Sequence, residues 1–127
     1  MKGIVFLGQH KLEIQEFEDP TPGPDEVILE IKASGMCGSD LKVYRAVEGP
    51  SSLGLGGEDK QVIAGHEPCG TIVELGKNVN KDNFKIDMNV MQHHYKGCGT
   101  CEHCSTGWQQ LCVDGVKEVF GVTGHGA

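Results

Sequence analysis

The sequence predicts a mainly β domain, a small and partly open β-barrel with one short helix and an irregular cysteine-rich lobe. The chain has 127 residues, the length of one domain. It contains 19 glycines and 5 prolines, which suit short strands joined by tight turns better than long helices. Four of its six cysteines stand within residues 98–112, a density that predicts the separate lobe.

The first half of the chain predicts three strands and one helix. The strands are expected at 2–7, 11–18 and 26–33, with the turn DPTPGP between the second and third. The third strand has the period of two of a half-buried strand, with four apolar residues on one face: Val27, Leu29, Ile31 and Ala33. A helix is predicted over 39–46 with Ser39 or Asp40 as N-cap, followed by a mobile Gly-, Ser- and acid-rich loop at 48–60.

The second half predicts shorter strands around the lobe. They are expected at 61–64, 69–75, 84–94 and 118–122. The lobe, about residues 95–115, is expected to be irregular, with a helical turn after Cys104. The sequence has no internal repeat and no low-complexity segment, and we therefore predict one domain.

Composition excludes several classes of function. The net charge of −7 disfavours nucleic acid as a partner, because phosphate binding needs clustered Lys and Arg. No apolar run approaches the ~20 residues of a membrane span, and the N-terminus lacks the pattern of a signal peptide. The chain is therefore expected to be cytoplasmic, with reduced thiols.

The cysteine block has the spacing C-x2-C-x2-C-x7-C, formed by Cys98, Cys101, Cys104 and Cys112. A disulfide framework is disfavoured, because a reducing compartment is expected and cysteines so close in sequence rarely pair without strain. Ferredoxin-type iron–sulfur runs also begin C-x2-C-x2-C, but there the fourth cysteine follows after three residues and precedes a proline. Four thiolates suit a structural zinc site, with no ligand position open to substrate, and we favour this interpretation.

A second group of candidate ligands stands apart from the block, in GMCGSD at 35–40 and GHEPCG at 65–70. These segments contain Cys37, His66 and Glu67. Cys37 directly precedes the predicted helix, where the helix dipole favours a thiolate. Taken alone, a cysteine and a histidine so far apart in sequence are more often two core residues than two ligands of one metal.

Three motifs in this order, KASGMCGSD, GHEPCGTIVELG and CGTCEHC with a further cysteine, resemble the zinc-containing medium-chain alcohol dehydrogenases. The resemblance covers essentially the whole chain, residues 1–127, as the N-terminal part of a GroES-like catalytic domain. It implies a GroES-like, partly open β-barrel with a zinc-binding lobe and two zinc ions per chain. It also implies hydride transfer from a zinc-bound alcohol to NAD or NADP.

The resemblance assigns roles residue by residue. Cys37 and His66 match ligands of the catalytic zinc, and Glu67 matches an adjacent glutamate that can enter its shell. The structural zinc would be held by the cysteines of the block, Cys98, Cys101, Cys104 and Cys112. Cys69 matches no ligand.

Four further residues match the surroundings of the catalytic zinc. Asp40 matches the carboxylate that orients the ligating histidine, and Ser39 matches the hydroxyl that takes the proton of the substrate alcohol. His94 falls where the family lines its substrate pocket. Lys42 stands where many members have the histidine that ends the proton relay, and we expect it to pass the proton through water.

Two segments depart from the family pattern. KIDMNV at 85–90 replaces a turn that usually reads G-D-R-V, which predicts altered and less stable turn geometry. The glycines of GVTGHGA have the wrong order for the dinucleotide fingerprint G-x-G-x-x-G, and no cofactor site is predicted there.

Because the family continues into a Rossmann domain that is absent here, the chain is expected to be a fragment without oxidoreductase activity of its own, and exposed strand edges predict a homo-oligomer. The leading hypothesis is the zinc-binding catalytic domain of an alcohol or polyol dehydrogenase, with a small-molecule alcohol as substrate. The alternative is a non-catalytic zinc-binding interaction module.

Overall fold

The computed structural model describes residues 1–47 and 61–126, so the loop expected at 48–60 lies outside the described residues. The described part is mainly β. Its elements in chain order are β1 (Lys2–Gly8), β2 (Lys11–Glu16), β3 (Val27–Gly35), α1 (Gly38–Arg45), β4 (Glu67–Leu75), β5 (Asn89–Met91), β6 (Tyr95–Lys96), α2 (Glu102–Ser105), a 3-10 turn (Gln109–Leu111) and β7 (Glu118–Val119).

The first two predicted strands pair with each other as an antiparallel hairpin. Gln9 and His10 at its tip have φ of 52° and 61°, and two consecutive positive φ values match the right-handed twist of paired strands. The Gln9 amide donates to the Ala46 carbonyl and the His10 amide to the Tyr44 carbonyl, both at 2.9 Å. These bonds fix the hairpin tip against the C-terminal end of α1.

The central sheet has the order β3–β4–β5 and is antiparallel throughout. In the β3–β4 ladder, Gly35 at the end of one strand pairs with Glu67 at the start of the other. Irregularities between Ile28 and Leu29, and between Ile31 and Ala33, interrupt the simple alternation predicted for β3. The ladder therefore brings the segment that follows β3 next to the segment that precedes β4.

Four predicted strands are shorter or absent, and the strand expected at 11–18 ends at Glu16. Only Asn89–Met91 of the strand expected at 84–94 pairs, because the chain turns just before it, with Asp87 at a φ of 67°. The strand expected at 118–122 ends at Val119, because Gly121 has a φ of 78° and the chain reverses. Residues 61–64 form no strand, since Ala64 donates a single backbone bond to β1 instead of a ladder.

Helix α1 begins one residue earlier than predicted, and its N-cap is Cys37, not Ser39 or Asp40. The Cys37 side chain accepts from the Ser39 amide, while the Asp40 side chain accepts from the Cys37 amide, which completes a capping box. The lobe also differs slightly: α2 starts before Cys104, and the turn expected after it is the 3-10 turn. Within the described ranges, every helix is too short or too polar to cross a bilayer.

The core is small and lies where the sheets meet. Val5 and Ile63 are each 3% exposed, and Ile72 is fully buried. Beside this core a groove of about 910 Å³ runs along the face of β3 and is lined largely by apolar side chains, among them Leu29 and Val90. The described strands therefore form separate sheets around an open side, and the predicted partly open, mainly β architecture is confirmed.

Candidate metal centres

The first candidate centre, the four-cysteine cluster, consists of Cys98, Cys101, Cys104 and Cys112, whose sulfur atoms all lie within 4.8 Å of one another. The Sγ atoms of Cys98 and Cys104 are 3.9 Å apart. A tetrahedral zinc ion with bonds of about 2.3 Å separates its ligand sulfurs by about 3.8 Å. The geometry and the all-thiol donor set therefore fit one zinc ion.

Backbone amides surround these sulfurs. The amides of Cys101 and Cys104 donate to Cys98 Sγ at 3.3 Å and Cys101 Sγ at 3.5 Å, and the Cys98 amide donates to Cys112 Sγ at 3.3 Å. Gly97 allows the close approach, since a Cβ there would overlap Cys104 Sγ. The chain therefore wraps the cluster with its own N–H groups, which stabilise sulfur in the thiolate form.

The thiols of this cluster differ in acidity. The side chain and amide of Thr100, then the Cys101 amide, lower the pKa of Cys98 to about 6. The Gly99 amide lowers the pKa of Cys104, but burial and the neighbouring thiols outweigh it and raise that pKa to about 11. Since crowded thiolates repel, a bound cation is what allows all four to deprotonate together.

The second candidate centre, the Cys37–His66 site, is built by the β3–β4 ladder. Because Gly35 pairs with Glu67, Cys37 follows the end of β3 just where His66 precedes the start of β4. Cys37 Sγ and His66 Nε2 are 3.1 Å apart although 29 residues separate them in sequence. A carboxylate oxygen of Glu67 also lies within 4.8 Å of both. Thiolate, imidazole and carboxylate are all zinc ligand types, so the donor set fits this metal too.

Asp40 holds both parts of this site in place. It is 5% exposed, and its Oδ2 accepts the Cys37 amide at 2.8 Å. Its Oδ1 lies 3.2 Å from His66 Nδ1. A carboxylate there accepts the Nδ1 proton, which leaves the lone pair of Nε2 free and directed toward Cys37. This geometry is what a metal-ligating histidine needs.

Hydrogen bonds also favour the thiolate of Cys37. The side chain of Ser39, then its amide, lower the pKa of Cys37, with smaller contributions from the Asp40 amide and from His66. Ser39 itself is exposed at the start of α1, beside the thiol. Lys42 is exposed one turn further along α1.

His94 lies next to the Cys37–His66 site. Its ring is 5.3 Å from the ring of His66 and packs at 4.2 Å on the ring of Tyr95, centroid to centroid. Burial first, then the charges of His66 and His93, lower the pKa of His94. A neutral imidazole beside the candidate ligands is therefore favoured at neutral pH.

Two supporting residues escaped the sequence analysis. Thr100 donates its hydroxyl to Cys98 Sγ at 3.5 Å, and its only sequence signal is its place between two cysteines. Gly65 has a φ of 99°, a conformation that L-residues rarely adopt, directly before His66. Its signal was the glycine that opens GHEPCG.

The alcohol dehydrogenase GroES-like domain family matches residues 23–127. The chain belongs to this family. This confirms the resemblance read from the three motifs, and the family's domain accounts for the partly open β architecture.

The relatives extend well beyond this chain. An alcohol dehydrogenase from Moraxella sp. is 34% identical over 98% of the chain and 35% of the relative. Sorbitol dehydrogenase from Bacillus subtilis is 34% identical over 90% of the chain and 31% of the relative. A cobalt- and zinc-bound thermostable alcohol dehydrogenase from Pyrobaculum aerophilum superposes with a TM-score of 0.77 at 27% identity, covering 99% of this chain and 36% of that one. The chain spans about a third of the length of these relatives.

Proposed function

We propose that this GroES-like domain, residues 1–127, provides the metal-binding part of the active site of an alcohol or polyol dehydrogenase. In the whole enzyme, NAD or NADP would accept a hydride from a small-molecule alcohol. The observation that carries the proposal is Asp40, which joins the Cys37 amide to the His66 ring and directs His66 Nε2 toward the thiol. A non-catalytic module would need only the four-cysteine cluster.

Cys37, His66 and Glu67 would hold a catalytic zinc ion, and the four-cysteine cluster would hold a structural one. Zinc at the Cys37–His66 site would supply Lewis-acid chemistry that lowers the pKa of an alcohol. Asp40 fixes the tautomer of His66, and the ring of His94, 5.3 Å from that of His66, forms one wall of the substrate pocket.

Proton removal would begin at Ser39. Its exposed hydroxyl stands beside Cys37, where it can accept the proton of the substrate alcohol. Lys42 lies three residues further on the same helix and faces solvent, so a water molecule can connect the two. The proton would thus leave along one exposed face of α1.

Metal content tests the proposal. We expect two zinc ions per chain by elemental mass spectrometry after purification without added metal. Cys37→Ser and His66→Ala should each reduce the content to one ion, because each removes a ligand of the catalytic site alone. Cys69→Ser is the matched control, since Cys69 belongs to neither cluster, and should retain two.

One zinc ion in the wild type, unaffected by Cys37→Ser, would overturn the catalytic assignment. Iron in place of zinc would overturn the assignment of the cysteine block. We also expect the 127-residue chain to show no NAD- or NADP-dependent alcohol oxidation alone, and measurable turnover would contradict that part of the proposal.

A further inference from the structure

The segment of residues 120–126, here called the glycine turn, packs directly on the backbone that leads into His66. The Gly126 amide donates to the Ile63 carbonyl at 2.9 Å, and the Ile63 amide donates to Nδ1 of His125 at 3.2 Å. Two hydrogen bonds in opposite directions thus join the turn to the chain three residues before His66. Neither bond takes part in the mechanism proposed above.

No side chain fits at Gly121 or Gly126, the two positions where the glycine turn contacts the backbone of Gly65. A Cβ on Gly121 or on Gly126 would overlap the carbonyl oxygen of Gly65, and the one on Gly121 would also stand 2.6 Å from the Gly65 carbonyl carbon. Backbone atoms cannot rotate away as a flexible side chain can. A methyl group at either position would therefore displace the peptide that immediately precedes His66.

The same turn also contacts the second histidine of the site. The Phe120 amide donates to the His94 carbonyl at 2.9 Å. One short segment is therefore hydrogen-bonded to the backbone near His66 and to the backbone of His94. The ring centroids of these two histidines are 5.3 Å apart.

We propose that the glycine turn is a positioning element for His66, with Gly121 and His125 as its positioning residues. The inference rests on the proposed function for its catalytic meaning, but its geometric content stands separately. His66 Nδ1 is 3.2 Å from Asp40 Oδ1, and a separation of about 3.6 Å no longer makes a side-chain hydrogen bond. A backbone shift of about half an ångström would therefore break the bond that orients the ring.

Gly121→Ala tests this inference against Gly115→Ala. The two glycines have nearly equal positive φ, 78° and 77°, so the same unfavourable φ is imposed on an alanine at both positions. A Cβ at Gly115 meets nothing within 4 Å, whereas one at Gly121 meets the Gly65 backbone. Any difference at His66 therefore measures the packing contact and not the backbone strain.

The first readout is the exchange rate of the ring proton on His66 Nδ1, which nitrogen-edited NMR measures on the whole chain. In the wild type and in Gly115→Ala this proton should be protected from exchange by its hydrogen bond to Asp40. In Gly121→Ala it should exchange at least about 10-fold faster. An unchanged signal in Gly121→Ala would overturn the inference, whether or not the site binds metal.

The second readout is cobalt titration, in which the four-cysteine cluster serves as an internal control for folding. Gly121→Ala should weaken binding at the Cys37–His66 site by about 10- to 100-fold, the usual cost of disturbing a ligand's support, and leave the four-cysteine cluster loaded. Equal affinity in Gly121→Ala and Gly115→Ala would contradict the inference. A wild type that loads only the cysteine cluster would instead contradict the proposed function, and the NMR result would then decide the inference alone.

His125 gives a variant pair that avoids any steric overlap. His125→Ala removes the acceptor of the Ile63 amide and should accelerate exchange of the His66 ring proton, while His125→Asn offers an oxygen in place of Nδ1 and should restore protection. If Gly121→Ala fails to fold, this pair decides. Equal exchange in both His125 variants and the wild type would then overturn the inference.

Discussion

The two candidate metal centres of this domain are built in opposite ways. All four candidate ligands of the four-cysteine cluster come from residues 98–112, one short stretch of chain wrapped by its own amides. Cys37 and His66 are 29 residues apart and meet because Gly35 at the end of β3 pairs with Glu67 at the start of β4. The first centre is a local structure, whereas the second depends on the fold.

This difference predicts how each centre responds to change. In a local cluster, metal binding and folding of the surrounding chain are one free-energy change, so loss of the metal should disorder the lobe. The Cys37–His66 site is held by a sheet and by the buried Asp40, so it should keep its shape without metal. Four measurements sharpen or break this comparison.

The largest effect is expected for Cys104→Ser, which replaces a buried candidate ligand of the four-cysteine cluster. Zinc affinity at this cluster should fall by more than about 100-fold, since even changes around a ligand cost 10- to 100-fold. The lobe should become accessible to protease while the Cys37–His66 site stays loaded. Limited proteolysis and metal analysis measure both. A lobe that remains protected after metal loss would break the comparison.

Asp40→Asn should produce a smaller change, at the other centre only. Asn has one acceptor oxygen where Asp40 serves two donors, the Cys37 amide and His66 Nδ1. Affinity for zinc or cobalt at the Cys37–His66 site should fall by about 10- to 100-fold in a competitive chelator titration. Asp82→Asn, at an exposed position, is the charge-matched control and should change nothing. A loss at the cysteine cluster instead would show that the centres are not independent.

Asp87→Gly should stabilise the domain without altering either centre. Asp87 has a φ of 67°, in the left-handed region, and its amide donates to the Ile72 carbonyl at 2.9 Å, a bond that glycine retains. We expect the free energy of unfolding to rise by about 1 kcal/mol in urea titrations. Asp87→Ala keeps the Cβ and should show no gain. Stabilisation by both variants would assign the effect to the lost carboxylate and not to the backbone.

The smallest effect is expected for Lys96→Met, which breaks an exposed ion pair between the lobe and the start of the central sheet. Lys96 Nζ lies 2.7 Å from Glu26 Oε1, with side chains 44% and 49% exposed, and such a pair contributes about 0.5 kcal/mol. Metal content should stay at the wild-type value at both centres if the lobe folds locally. Lys96→Arg, which keeps the charge, should retain the stability. A metal loss on breaking this pair would refute the independence of the centres.

The pH dependence of that pair follows from its pKa shifts. Lys96, then the Gly23 amide, lower the pKa of Glu26, so its share of stability is present above the pKa of an unfolded glutamate and is lost as the pH falls through the lowered value. Glu26 raises the pKa of Lys96, so the stability that Lys96 contributes is present at neutral pH and is lost as the pH rises through the raised value. Lys96→Met should therefore have a lower free energy of unfolding than the wild type between the pKa of Glu26 and that of Lys96. At acid pH the two proteins should be equally stable.

The sequence predicted the local features of the molecule better than the non-local ones. Spacing alone grouped Cys98 with Cys112, because a short segment can place such ligands around one ion without help from the rest of the chain. Spacing could not predict that Cys37 lies beside His66, because their approach depends on the pairing of Gly35 with Glu67. Only the family resemblance suggested that they lie together.

Backbone geometry caused most of the errors. The long strand expected at 84–94 is interrupted because Asp87 adopts a positive φ that apolar patterning does not reveal. The helix cap was misplaced because a cysteine fills a position where Ser or Asp is usual. The packing of Gly121 on Gly65 left no pattern in the sequence beyond the glycines themselves.

The pairing of Gly35 with Glu67 has a practical consequence for engineering. An insertion or deletion of one residue within β3 or β4 would shift this pairing and move Cys37 away from His66, so a redesigned domain should keep the lengths of both strands.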